Sequence, residues 1–188
     1  SRELPETTAR PPLATGKPNL LFVGRWHPNK GVDLLPETMA LLKAEGVDAH
    51  LHILGGGRLE QRLRDLIQRY GISDCVSMEG YADTERAAAY LRACDILLIP
   101  SRAESIPVAF SDAVKCGIPV VAADVGDLGK LLNKYRVGEI CPPESPIGLA
   151  RAIQSILRKG REPYRTGMAQ AAADFNIRAS AATYLDRH

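Results

Sequence analysis

Residues 99–123 read IPSRAESIPVAFSDAVKCGIPVVAA, and this stretch decides the fold. It is preceded by Ile96-Leu97-Leu98, which with Ile99 makes a short, continuous apolar run of the kind that fills a parallel strand covered on both faces. Pro100 ends the run. Pro107, with its fixed φ and no N–H, suits the first turn of a helix, where that N–H would be unpaired anyway. Gly117 fits the left-handed position just past a helix, and Pro119 blocks any continuation. Val120-Val121-Ala122 is then a second strand. In this strand–loop–helix–turn–strand unit Glu104 occupies the loop at the carboxyl end of the first strand. Asp112 lies two turns into the helix, on the same face as Val108 and the loop residue Ser105. Two carboxylates thus flank one helix N-terminus, the place where open strand–helix sheets take ligands.

The same alternation runs outward in both directions. Upstream, Leu20–Val23 is a first strand ended by Gly24, and Val32–Glu45 carries Leu35, Met39 and Leu42 at helical spacing before Gly46. His50–Leu54 is a second strand, and Gly55-Gly56-Gly57 turns into a helix with Leu59, Leu63, Leu66 and Ile67 on one face. Cys75–Met78 reads as a third, weak strand, and Asp83 as the cap of a helix reaching Ala93. Downstream, Val137–Cys141 is a sixth strand and Ile147–Leu157 an amphipathic helix, with two further helices over Pro163–Phe175 and Ile177–Leu185. Six strands joined by long crossovers predict an α/β, Rossmann-like, doubly wound parallel sheet with helices on both faces. Residues 1–18, with Pro5, Pro11, Pro12 and Pro18 and no periodicity, read as a linker or tail, and residues 19–188 as one domain.

The totals exclude several classes. The 188 residues are 45% hydrophobic and 24% charged, an ordinary globular composition. A net charge of +2 gives no reason to expect a nucleic acid partner. Arg58, Arg62, Arg64 and Arg69 read as a solvated helix face. Cys75, Cys94, Cys116 and Cys141 lack C-x-x-C spacing, and the four histidines make no ligand set with them, so reduced thiols in a cytoplasmic protein are the default and no metal site is expected. No apolar run approaches the ~20 residues of a membrane span.

The segment PSRAESIPVAFSDAVKCGIPVVA resembles a signature of the retaining, GT-B-fold "group 1" glycosyltransferases (glycosyltransferase family 4), which reads roughly PS..EGFGLVLLEAMA.G.PVVA. Gly24-Arg25-Trp26-His27-Pro28-Asn29-Lys30-Gly31 resembles the same family's GR....KG. Gly55-Gly56-Gly57 is similar to its G-[DE]-G turn without the acidic residue, and FNIRASAATYL near the end is similar to its closing F.W...A..Y. The resemblance covers about Asn19 to Leu185. It implies that Arg25 and Lys30 bind a donor's diphosphate, that Glu104 contacts the donor sugar, and that Asp112, standing for a Glu, contacts the ribose. It also implies donor contacts at Gly24, Gly55, Tyr81, Ser105, Ile106 and Val108. Arg25, Lys30 and Glu104 are the candidate catalytic residues. The sequence departs from the family at Ser105 and Pro107, which replace glycines, and at Asp127 and Lys130 in the segment standing for GG[IL]PE.

On this reading the chain is the C-terminal, donor-binding half of a two-domain enzyme. Its partners are a nucleoside-diphosphate sugar and an N-terminal acceptor-binding domain lying outside this sequence. No cofactor is expected, and peripheral membrane association of a full-length enzyme is left open. The chemistry suits the residue types, because breaking the sugar–phosphate bond builds negative charge that fixed cations can stabilise. The absence of D-x-D fits a metal-independent transfer. Two alternatives stand beside it: a non-catalytic nucleotide-sugar-binding module, motivated by Asp112, Asp127 and Lys130, and a nicotinamide-dependent dehydrogenase. The latter lacks G-x-G-x-x-G after its first strand, since Gly24 is followed by Arg25 and Trp26.

Overall fold

A computed structural model describes residues 11–185, with side chains through Phe175. Six strands, β1 (Asn19–Val23), β2 (His50–Leu54), β3 (Val76–Gly80), β4 (Ile96–Ile99), β5 (Val120–Ala123) and β6 (Gly138–Cys141), form one sheet in the order β3-β2-β1-β4-β5-β6. Every neighbouring pair is parallel. The doubly wound sheet expected from the alternation is therefore present. The helices are α1 (Leu35–Ala44), α2 (Glu60–Arg69), α3 (Thr84–Ala93), α4 (Val108–Cys116), α5 (Leu128–Tyr135), α6 (Pro146–Lys159) and α7 (Arg165–Leu185). α1 packs with α2 and α6, while α4 packs with α3 and α7, and α5 with α7, which separates the two helical layers.

The strands are nearly continuous runs of buried residues because both faces are covered; Leu20, Leu21, Leu51, Ile53, Leu97 and Val121 have no appreciable exposure. Each such side chain contributes roughly 1.5–3 kcal/mol relative to exposure. All four cysteines are free, and burial pushes the Cys94 and Cys141 thiols up to about 12, so they act as apolar filler.

Three expectations need correction, and one helix is added. The two helices expected over 163–185 are one, α7 (Arg165–Leu185), with a 3-10 turn over Glu162–Tyr164 before it. α5 is the added helix, which the local sequence pattern does not announce. Its Leu128, Leu132 and Tyr135 are buried at helical spacing, but Gly126 and Gly129 at its start look like a turn. Pro107 is the residue before α4 rather than part of its first turn, with ψ 144. β3 runs to Gly80 through an irregularity in its register with β2, which leaves Glu79 as an inserted residue. Residues 11–18 have no helix or strand, yet they are tied to the domain. The Asn19 side chain accepts from the Ala14 N–H and donates to the carbonyls of Ala14 and Lys17. Residues 1–10 of the linker reading, and the side chains of the closing motif beyond Phe175, lie outside the described residues.

Candidate functional site

β1 and β4 are neighbours, and from them the chain winds in opposite directions, to β2 and to β5. Their carboxyl ends therefore open a crevice at the switch point. A cleft of about 570 Å³ lies there, lined among others by Gly24, Lys30, Tyr81, Glu104, Ile106, Val108 and Asp112. Seven sequence-derived candidates thus share one cavity. Arg25, Gly55 and Ser105 are not part of its lining.

Lys30 and Glu104 are 74 positions apart in the chain and form an ion pair within the cleft. The Ser101 hydroxyl donates to the same Glu104 oxygen at 3.4 Å. Local structure delivers Lys30. Pro28–Lys30 is a 3-10 helix whose first free N–H, that of Asn29, is capped by His27 Nδ1 at 3.2 Å. Gly31 then turns at φ 66, and a Cβ there would stand 1.9 Å from the Pro100 carbonyl oxygen. Only glycine lets the Lys30 loop lie against the end of β4.

Trp26 is 2% exposed, and its loop is laced to the glycine turn after β2. Its backbone N–H donates to the Gly56 carbonyl at 2.8 Å, and the Leu59 N–H donates to its carbonyl at 3.1 Å. Gly55, at φ 133, has its Cβ position 1.9 Å from the Gly24 carbonyl oxygen, so close backbone approach is enough to require glycine there. Arg25, which follows the lining residue Gly24, is exposed and has no hydrogen-bond or ion-pair partner among the described residues. His27 is held below its ordinary pKa by burial first, and then by the fields of Arg58, Arg25 and Lys30. Arg58, read from the sequence as part of a helix face, thus precedes α2 and lies near enough to His27 for its charge to be felt there. The lacing of its neighbours Gly56 and Leu59 to Trp26 brings it there, and no periodicity signals that.

The opposite lip is apolar. Tyr81 is 83% exposed, Val108 63% and Ile106 38%. Tyr81 is anchored through its backbone, because Arg86 donates to the carbonyls of Glu79 and Tyr81 at 2.9 and 3.1 Å. Asp112 is buried in α4, whose other side is backed by the edge-to-face pair Phe110–Phe175, with centroids 5.8 Å apart. The departures at Asp127 and Lys130 form an exposed pair at 3.3 Å outside the cleft, an arrangement that contributes little to stability. Gly126 of the same turn does approach the site, with its Cβ position 2.1 Å from the Glu104 carbonyl oxygen. Among the described residues no group of three or more His, Cys, Asp or Glu side chains could hold a metal ion, and no helix is long and apolar enough to cross a membrane. After Gly24 the chain forms 3-10 turns, and the first α-helix starts only at Leu35, so β1 is not followed by the glycine turn and helix N-terminus of a dinucleotide fold.

Comparison with known proteins agrees with this fold. Residues 5–175 match the family "Glycosyl transferases group 1". The chain is 32% identical over 183 residues to the putative colanic acid biosynthesis glycosyltransferase WcaL of Salmonella typhimurium, covering 92% of this chain and 45% of that protein. Sucrose-phosphate synthase from Thermosynechococcus elongatus superposes with a TM-score of 0.80 at 30% identity, covering 93% of this chain and 45% of that one. Anabaena HepE in complex with UDP-glucose superposes with a TM-score of 0.74 at 20% identity over 92% of this chain and 50% of that one, a likeness of fold. The chain therefore spans about half the length of these proteins or less.

Proposed function

The chain belongs to the glycosyl transferases group 1, and from that premise we propose that it is the donor-binding, C-terminal domain of a retaining enzyme that moves a hexose-type sugar from a nucleoside diphosphate to an acceptor. The observation that carries the reading is the meeting of Lys30 with Glu104 in the switch-point cleft, beside the exposed side chains of Tyr81, Ile106 and Val108. Anabaena HepE, whose fold this chain shares, has been solved in complex with UDP and with UDP-glucose, which supports a nucleotide-sugar ligand.

Arg25 and Lys30 take the diphosphate. Arg25 can bind its oxygens bidentately, and Lys30 acts as a point charge. Both oppose the negative charge that builds on the leaving diphosphate as the sugar–phosphate bond breaks. Glu104 accepts from sugar hydroxyls once Lys30 turns to the phosphates. Asp112 reaches the ribose, directly or through water, and Tyr81 offers a face to the base. The acceptor is held by a first domain outside this sequence, and closure of the two domains excludes water. That Asp127 and Lys130 stand outside the cleft removes part of the motive for a non-catalytic module.

Calorimetric titration with UDP, UDP-glucose and the corresponding guanosine compounds tests the reading, with EDTA and with Mg²⁺. Binding of one such ligand that survives EDTA is expected. No binding by any of them would overturn donor recognition, and a tenfold loss in EDTA would overturn metal independence. Acceptor-dependent turnover by this chain alone would overturn the two-domain account.

A further inference from the structure

Arg102 stands in the chain between two residues that line the cleft, Ser101 and Glu104, but it does not line the cleft itself. Its side chain points to loops instead. One terminal nitrogen donates to the Pro28 carbonyl at 2.6 Å and to Asp33 Oδ1 at 2.8 Å, and the other to Asp33 Oδ2 at 3.2 Å. Nε donates to Glu144 at 2.8 Å, and the Arg102 backbone N–H donates to the Asn29 carbonyl at 2.8 Å. The Arg102 and Asp33 side chains are 26% and 14% exposed, so this is a half-buried, bidentate, charge-assisted pair. The Asp33 hydrogen bond chiefly holds the guanidinium ionisation above its ordinary value. With its charge answered by Asp33 and Glu144, Arg102 is a poor phosphate ligand, unlike the unpaired Arg25. It joins three loops: the one after β1 carrying Lys30, the one after β4 carrying Glu104, and the one after β6 carrying Glu144, a non-glycine residue at φ 53.

We propose that Arg102 is the positioning residue of the donor site, which sets the Lys30 loop against the Glu104 loop before any ligand arrives. This rests on the function proposed above. Lys30 and Glu104 sit on separate loops whose ordering would otherwise be charged against binding. A planar five-donor fork that grips Pro28, Asp33 and Glu144 at once moves that cost into folding. Gly31 lying on Pro100 fixes how close the loops come, and Arg102 fixes how they are oriented.

The test compares Arg102→Met and Arg102→Lys in the parent and in a Lys30→Met background, with UDP-glucose as the probe. Arg102→Met is expected to weaken UDP-glucose about tenfold in the parent and less than twofold when Lys30 is already gone, the coupling expected of residues in one network. Arg102→Lys should recover only part, because an ammonium cannot span Asp33 bidentately. Equal affinity of Arg102→Met and parent, or the same loss in both backgrounds, would overturn the proposal. A ligand-independent arm separates it from the donor reading. Amide exchange over residues 28–34 and 101–105 should quicken about tenfold in Arg102→Met while α1 and α6 keep their protection. Unchanged exchange in those loops overturns the proposal even if no nucleotide sugar binds. Should Arg102→Met fail to fold, Glu144→Gln at the exposed end of the clamp carries the same test, with a shift of about twofold expected in each readout.

Discussion

Two polar clusters occupy this sheet, and they differ in what is left open. Within the sheet, under α3, His52 is 1% exposed, with Nδ1 2.9 Å from Glu79 Oε1 and Nε2 2.9 Å from Asn19 Oδ1. Glu79 also receives Arg86 at 3.2 Å, and the His52 ring packs on Tyr90 with centroids 5.4 Å apart. At the carboxyl ends of the strands, Lys30 and Glu104 hold each other, but Arg25 has no partner among the described residues and Tyr81 faces solvent. The first cluster spends its hydrogen-bonding capacity on the fold and specifies how β1, β2 and β3 meet α3. The second keeps charge and apolar surface unspent, which is the condition for binding something.

The largest expected effect sharpens that contrast. His52→Ala orphans Asn19 and Glu79 and opens a cavity, and should cost about 3 kcal/mol in urea unfolding. Under conditions where the variant is folded, UDP-glucose affinity should stay within about twofold of the parent. Equal damage to both would join the two clusters into one.

Arg25→Ala and Lys30→Ala should show the reverse profile. Each removes a charge-assisted contact of about 1.5–3 kcal/mol, so UDP affinity should drop roughly tenfold to 150-fold. Their unfolding free energies should move by less than about 1 kcal/mol, because neither is fully buried. Parent-like nucleotide binding by both variants would dismantle the phosphate assignment.

Asp112 tests the cleft's far side with a smaller change. Asp112→Ala should weaken UDP by about tenfold, and Asp112→Glu should match or exceed the parent, since Glu restores the longer reach of the family's residue. Inorganic pyrophosphate, which has no ribose, should bind all three forms alike. Flat UDP affinities across the series would take Asp112 out of the site.

The smallest effect concerns pH. Burial, then the fields of His52 and Lys17, hold His50 below its ordinary value near 6.5. The folded chain therefore binds this proton more weakly than the unfolded chain. Its contribution to stability is complete above about pH 6.5 and declines as the pH falls towards the lowered folded value. A melting series from pH 7.5 to 5.5 should show that decline, and His50→Gln, which can still meet Ser77, should flatten it. An identical slope in the variant would assign the decline to other groups.

Features encoded within a turn or two of chain are legible before any folding. Buried parallel strands announce themselves as apolar runs, Gly117 ends α4 at φ 69, and Asp83 caps α3 by accepting from the Arg86 N–H at 2.8 Å. Alternation of such segments leaves a doubly wound sheet as the architecture that buries all of them, and the two motif loops fall at strand ends. α5 escaped because two glycines at its start outweigh the spacing of Leu128, Leu132 and Tyr135 in a local reading. The tertiary structure alone decided which loops touch. Lys30 meets Glu104, Arg102 reaches Pro28 and Asp33, and Arg58 comes near His27, while Asp127 and Lys130 fall outside the cleft. The same holds for Gly55 and Gly31, whose necessity comes from the carbonyls of Gly24 and Pro100 on other segments. Such contacts depend on strand order, on register and on a few tenths of an ångström between backbones distant in sequence. Local propensity carries no information about distances of that kind.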